Sequence, residues 1–120
     1  MKKVLKGMLV FIICISIIGS STKVSAASRS NKYMTTWLDT KSAKMTVKNE
    51  FTVDSISAYM DIYWRNKITG TTYSSIQDKT TKRTRMCNLN YKASWHQVII
   101  QVYFEGRIEG SLATAWQLSN

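Results

Sequence analysis

Ile56-Ser57-Ala58-Tyr59-Met60-Asp61-Ile62-Tyr63-Trp64-Arg65 is the stretch on which the fold turns. Apolar Ile56, Ala58, Met60, Ile62 and Trp64 alternate with Ser57, Tyr59, Asp61, Tyr63 and Arg65. A period of two puts every second side chain on one face of a pleated strand. A helix would gather Ile56, Met60 and Tyr63 but set Ile62 and Trp64 on opposing faces. The β-branched and aromatic content also favours the strand.

The same period recurs outward from this segment. Val98, Ile100, Val102 and Phe104 form a second apolar stripe, preceded in phase by Ser94 and His96. The opposite face carries Trp95, Gln97, Ile99, Gln101 and Tyr103. Ile108, Leu112, Thr114, Trp116 and Leu118 make a third stripe, with Gly110 in register. Glu105-Gly106 reads as the turn of an antiparallel hairpin between these two. Towards the N-terminus, residues 33–38 and 43–48 are shorter strands joined across residues 39–42. Thr69-Gly70 turns the chain after Trp64, a Thr/Ser-rich arm covers residues 71–76, and Arg85, Cys87 and Leu89 suggest one more strand. No amphipathic helix, repeat or linker interrupts this pattern. Six or seven short strands predict one all-β domain over residues 33–120. The expected architecture is a small antiparallel β-sandwich of immunoglobulin-like type, with a small β-barrel as the alternative.

Residues 1–26 carry an address. Lys2, Lys3 and Lys6 precede an apolar run over residues 8–18, and Val24-Ser25-Ala26 has the small-residue pattern of a signal-peptidase site. A run this short, followed by small polar residues, reads as a cleaved secretory signal rather than a membrane span. Cleavage is expected after Ala26, with Ala27 as the alternative. The short Lys-rich start and Ala-type site point to a bacterial chain. Cys14 follows Phe11-Ile12-Ile13 rather than small residues, which argues against lipidation. Residues 27–32 are small, polar and basic, and read as a flexible lead.

The 120 residues hold 17 Lys and Arg against 7 Asp and Glu, a net charge of +10, with no Pro, one His and two Cys. The chain after Ala26 keeps 13 basic and 7 acidic residues, a net charge of +6, and one thiol, Cys87. One thiol excludes an internal disulfide, so stability must come from a core. Neither metal nor cofactor is expected, because the single His, the single Cys and the scattered acids match no ligand spacing. A turn at Tyr91-Lys92 would set Cys87 opposite His96, the one arrangement with a bearing on thiol catalysis. No third group is evident to orient the imidazole, and the chain is read as non-enzymatic.

Two features point to binding. Lys79, Lys82, Arg83 and Arg85 fall close together, with Thr80, Thr81 and Thr84 between them and Asp78 as the neighbouring acid. Such a cluster attracts polyanions. Tyr59, Tyr63 and Arg65 share the outward parity of the decisive strand, a surface suited to sugar rings or to a protein. The expected role is therefore a secreted binding module at or outside the cell envelope, with wall association as one setting. It would take an anionic polymer, a glycan or a protein, with peripheral membrane contact, and export removes intracellular nucleic acid as a target. The competing class is a secreted β-rich bacteriocin or toxin acting on membranes. The sequence leaves the oligomeric state open.

Overall fold

The computed structural model describes residues 26–93, 95 and 97–120. The export signal expected over residues 1–26 lies outside the described residues except for Ala26. Six strands follow in chain order: β1 (Ala27–Ser30), β2 (Met34–Leu38), β3 (Ser42–Asn66), β4 (Thr72–Lys92), β5 (Val98–Ile108) and β6 (Ser111–Ser119). All pair antiparallel, so the all-β expectation holds.

The architecture differs from an immunoglobulin-like sandwich. All six strands belong to one sheet, which curls into a half-barrel, nearer to the barrel alternative. β3 is the spine. One of its edges pairs with β4 from Ser42 to Arg65. The other pairs first with β2 and then with β5, and the order β1-β2-β3-β5-β6 results.

Two expected strands, residues 43–48 and the decisive stretch from Ile56, are parts of this single spine. The register shifts between Lys48 and Val53. That irregularity switches the buried parity from Ala43, Met45 and Val47 to Ile56, Ala58, Met60 and Ile62. Irregularities of this kind bend a strand and strengthen its twist, which lets a long ribbon wrap around a core. β4 bends beside it: Arg83 has φ +48°, and the Thr81 hydroxyl donates to Cys87 Sγ at 3.4 Å. The Thr/Ser-rich arm and the expected strand around Cys87 are thus one continuous β4.

The inner face gathers Met34 and Leu38 from β2, the β3 stripe, and Val98, Ile100, Val102 and Phe104 from β5, all buried. Each Met, Leu, Ile, Val or Phe among them contributes roughly 1.5–3 kcal/mol on leaving water. Trp116 of β6 closes the curl, donating its indole N–H to Thr36 Oγ1 at 3.0 Å in the buried interior. Asn31 Nδ2 donates to Thr114 Oγ1 at 3.1 Å, and the Arg29 guanidinium lies 4.7 Å over the Trp116 ring. These contacts tie β1 and β2 to β6.

Three local expectations change. The lead over residues 27–32 contains β1, paired with β2 from Ala27↔Leu38 to Ser30↔Thr35. The β5–β6 turn falls at Glu109-Gly110, with φ +54° and +83°, not at Glu105-Gly106. Trp95, expected on the aromatic–polar face of β5, is buried before β5 begins, stacked on Tyr91 at 5.9 Å and tilted on Trp64 at 6.0 Å.

Candidate functional site

The pleat decides which side chains reach solvent. Tyr59, Asp61, Tyr63 and Arg65 leave β3 on the face opposite Met60 and Ile62. Directly opposed residues share a face, so the register brings Glu105, Tyr103, Gln101 and Ile99 of β5 beside them, in that order. β4 adds Asp78 against Tyr59, Ile76 against Asp61 and Ser74 against Tyr63. No described residue covers this face: Tyr63 is 49% and Tyr103 39% exposed, with Tyr59 half-buried.

Two shallow depressions follow β3 along it. One, of about 440 Å³, is lined by Tyr59, Asp61, Asp78, Lys79, Thr80, Tyr103, Glu105 and Arg107, among others. The second, of about 340 Å³, is lined by Tyr63, Trp64, Arg65, Thr72, Ile99 and Gln101. Tyr59 and Tyr63 are four residues apart on one strand, roughly 13 Å at 3.3 Å per residue. A ligand touching both is therefore extended.

The first depression gathers three carboxylates, Asp61, Asp78 and Glu105, with Lys79 and Arg107. Desolvation raises the Tyr59 phenol above its ordinary pKa, and the neighbouring Asp61, Glu105, Tyr63 and Asp78 push in the same direction. Arg107 is drawn into an ion pair with Glu105, two residues away on β5. Planar rings flanked by carboxylates, amides and hydroxyls offer a stacking platform with lateral hydrogen-bond acceptors. With Arg107 paired to Glu105, a polyanion would meet the carboxylates of Asp61 and Asp78 here, with Lys79 as the free cation among the described residues of the lining.

The basic residues Lys79, Lys82, Arg83 and Arg85 are all exposed along β4, and Lys79 also lines the first depression. They do not converge. Lys79 opposes Ala58 and so lies on the inner-face parity, whereas Lys82 opposes Ser55 on the outer one. Arg83 sits at the bend, and Arg85 follows it opposite the β3 irregularity. Among the described residues none of the four is ion-paired.

The Cys87–His96 arrangement needs a turn at Tyr91-Lys92, but both residues continue β4, paired with Ala43 and Ser42. His96 itself lies outside the described residues. Cys87 is buried and free, and its thiol approaches the Lys79 carbonyl at 3.5 Å. No three His, Cys, Asp or Glu side chains among the described residues converge in a way that would hold a metal ion.

Sequence reasoning found Tyr59, Tyr63 and Arg65 by parity, and grouped Gln101 with Tyr103. It missed Asp78, Glu105 and Arg107 as their neighbours, because only strand register connects them. No protein-family model, no curated protein and no solved structure matches this chain.

Proposed function

We propose that this protein is an exported, non-enzymatic binding module, and that its ligand is a carbohydrate polymer laid along the outer face of β3 and β5. The observation that carries the reading is the uncovered row Tyr59, Tyr63 and Tyr103 beside two depressions along one face. Tyrosine brings apolar area at little entropic cost and keeps a polar tip. Asp61, Asp78 and Glu105 bias the choice towards neutral or amine-bearing sugars and away from anionic ones.

Affinity electrophoresis through gels containing neutral, amine-bearing or anionic glycans tests this. Retardation by the first two is expected, and Tyr59→Ala with Tyr63→Ala should abolish it while thermal melting stays near wild type. Retardation unaffected by these substitutions would remove the tyrosine face from the reading.

A second reading rests on the four unpaired basic side chains of β4. An anionic envelope polymer bound there would be lost in the Lys79→Ser, Lys82→Ser, Arg83→Ser, Arg85→Ser variant. Its affinity would fall steeply with salt through screening and counterion release. A membrane-active toxin, the remaining alternative, would instead release dye from anionic vesicles.

A further inference from the structure

β4 is paired along one edge only; its other edge has no main-chain partner among the described residues. At the turn, Asn66 N–H donates to the Thr71 carbonyl. Bonding direction alternates along an antiparallel ladder. The main-chain groups of Tyr73, Ser75, Gln77 and Lys79 therefore serve β3. Those of Thr72, Ser74, Ile76, Asp78 and Thr80 point to the free edge, a template for another strand.

Charge guards this edge unevenly. Residues 72–77 carry none, while Lys79, Lys82, Arg83 and Arg85 crowd the far part, where Arg83 breaks the strand geometry. On the unguarded part, Tyr73 is 50% and Ile76 59% exposed. The other end of the sheet is different: β1 and β6 are tied to each other by the Asn31–Thr114 bond and by Arg29 over Trp116.

We propose that a second copy of this chain docks edge to edge along residues 72–80 of β4, antiparallel about a two-fold axis through Ile76. In this register Ile76 meets Ile76 of the second copy, Ser74 meets Asp78, and Thr72 meets Thr80, all with edge-facing main-chain groups. On the inner face Ser75 meets Gln77, and Tyr73 meets Lys79, an ammonium beside an aromatic ring. Lys82 falls opposite Gly70, where the strand of the second copy has already ended. The basic residues of the two copies therefore lie at opposite ends of the joint. A parallel docking would align them side by side, and like charges directly opposite are destabilising. The charge pattern thus selects the partner's direction; an axis at Asp78 would oppose two carboxylates, and one at Ser74 would pair fewer residues because β4 begins at Thr72.

Sedimentation of the purified chain at about 100 μM, a concentration that populates even a small, weak interface, should show a dimer that dissociates on dilution. Ile76→Lys sets two ammonium groups across the axis. Ser74→Pro removes an edge-facing N–H and leaves the β3 ladder intact. Each should weaken association at least ~tenfold, with circular dichroism and melting unchanged. Ile76→Cys should cross-link the dimer under mild oxidation, because hydrogen-bonded antiparallel pairs sit ~5.5 Å apart, within disulfide reach. Ser74→Cys, displaced from the axis, should not. A wild-type monomer at this concentration overturns the proposal. So does a dimer that both weakening variants leave intact, or a cross-link that forms equally at position 74. If one variant fails to fold, the other and the cross-linking pair still decide.

Discussion

Arg83 holds a left-handed backbone conformation, φ +48°, without the freedom of glycine. Such a conformation costs an L-residue about 1–2 kcal/mol. Arg83→Gly should therefore raise unfolding free energy by up to about 1 kcal/mol in urea titrations, the entropy of the unfolded glycine taking back part of the gain. A fall in stability would show that the arginine side chain contributes more than its backbone costs. Gly106 presents the opposite case. A Cβ there would lie 2.8 Å from Val47 Cγ2 and 3.4 Å from Met34 Sδ. Both neighbours are buried and have nowhere to withdraw, so Gly106→Ala should cost about 1–3 kcal/mol by overpacking. Asp39 sets the β2–β3 turn. Its Oδ2 accepts the Trp37 indole N–H, and Oδ1 accepts the main-chain N–H groups of Lys41 and Ser42. The Trp37 bond is the largest influence; burial pushes the other way, and the bonds from Lys41 and Ser42 add to the Trp37 bond to hold the carboxyl below its ordinary value of 3.8. A depressed folded-state pKa contributes stability above the unfolded pKa and loses it as pH falls through the folded one. Wild-type melting temperature should thus fall on acidification below about pH 4, and Asp39→Asn should show a shallower fall.

At the scale of elements, the β3–β4 ribbon explains what alternation alone leaves open. The stripe from Ile56 to Trp64 is legible because each strand neighbour is present on the same parity. Met45 and Val47 belong to the same strand but run on the other parity, so a sequence reading ends one strand and begins another. Continuity across residues 49–52 comes from β4, whose pairing resumes at Val53 after Lys48. β4 itself carries little alternation: between Cys87 and Tyr73, which stacks on Trp64, its inward residues are Thr81, Lys79, Gln77 and Ser75, none of them apolar. The two Glu-Gly pairs show a sharper limit. Glu105-Gly106 and Glu109-Gly110 carry the same local turn signal. Gly106 is instead spent on close approach to Val47, and Gly110, with φ +83°, makes the turn. The charged part of β4 has its own consequence. Free edges are commonly protected by charge. Replacing Lys79, Lys82, Arg83 and Arg85 with Ser should turn limited association into progressive aggregation, followed by light scattering at low salt. Unchanged scattering would mean that the bend at Arg83, not charge, protects that edge.

Over the whole molecule, charge is distributed in a way that composition hides. The net positive charge suggests a uniformly basic protein, yet the tyrosine face gathers Asp61, Asp78 and Glu105, with Lys79 beside them and Arg83 and Arg85 further along β4. A two-fold axis perpendicular to the sheet at Ile76 would put the tyrosine faces of both copies on the same side. Binding to a long polymer then gains from effective concentration. Tyr73→Lys, on the inner face opposite Lys79 of the second copy, should weaken retention on a polymeric glycan by roughly 10²-fold while leaving affinity for a short oligosaccharide unchanged. Equal effects on both ligands would detach polymer retention from association of two copies.

Residue order by itself determined the all-β class, the inward and outward sides of β3 and β5, and the absence of a disulfide among residues 27–120. These follow from a period of two and from the residue inventory, both local properties. Tertiary structure decided the rest: one curled sheet instead of two, a spine running through an apparent strand break, and the choice between two identical turn signals. It also decided the company of Tyr59. Each of these depends on which strand lies beside which, and in what register. Contacts between residues distant in the chain set that register, and no local pattern records it.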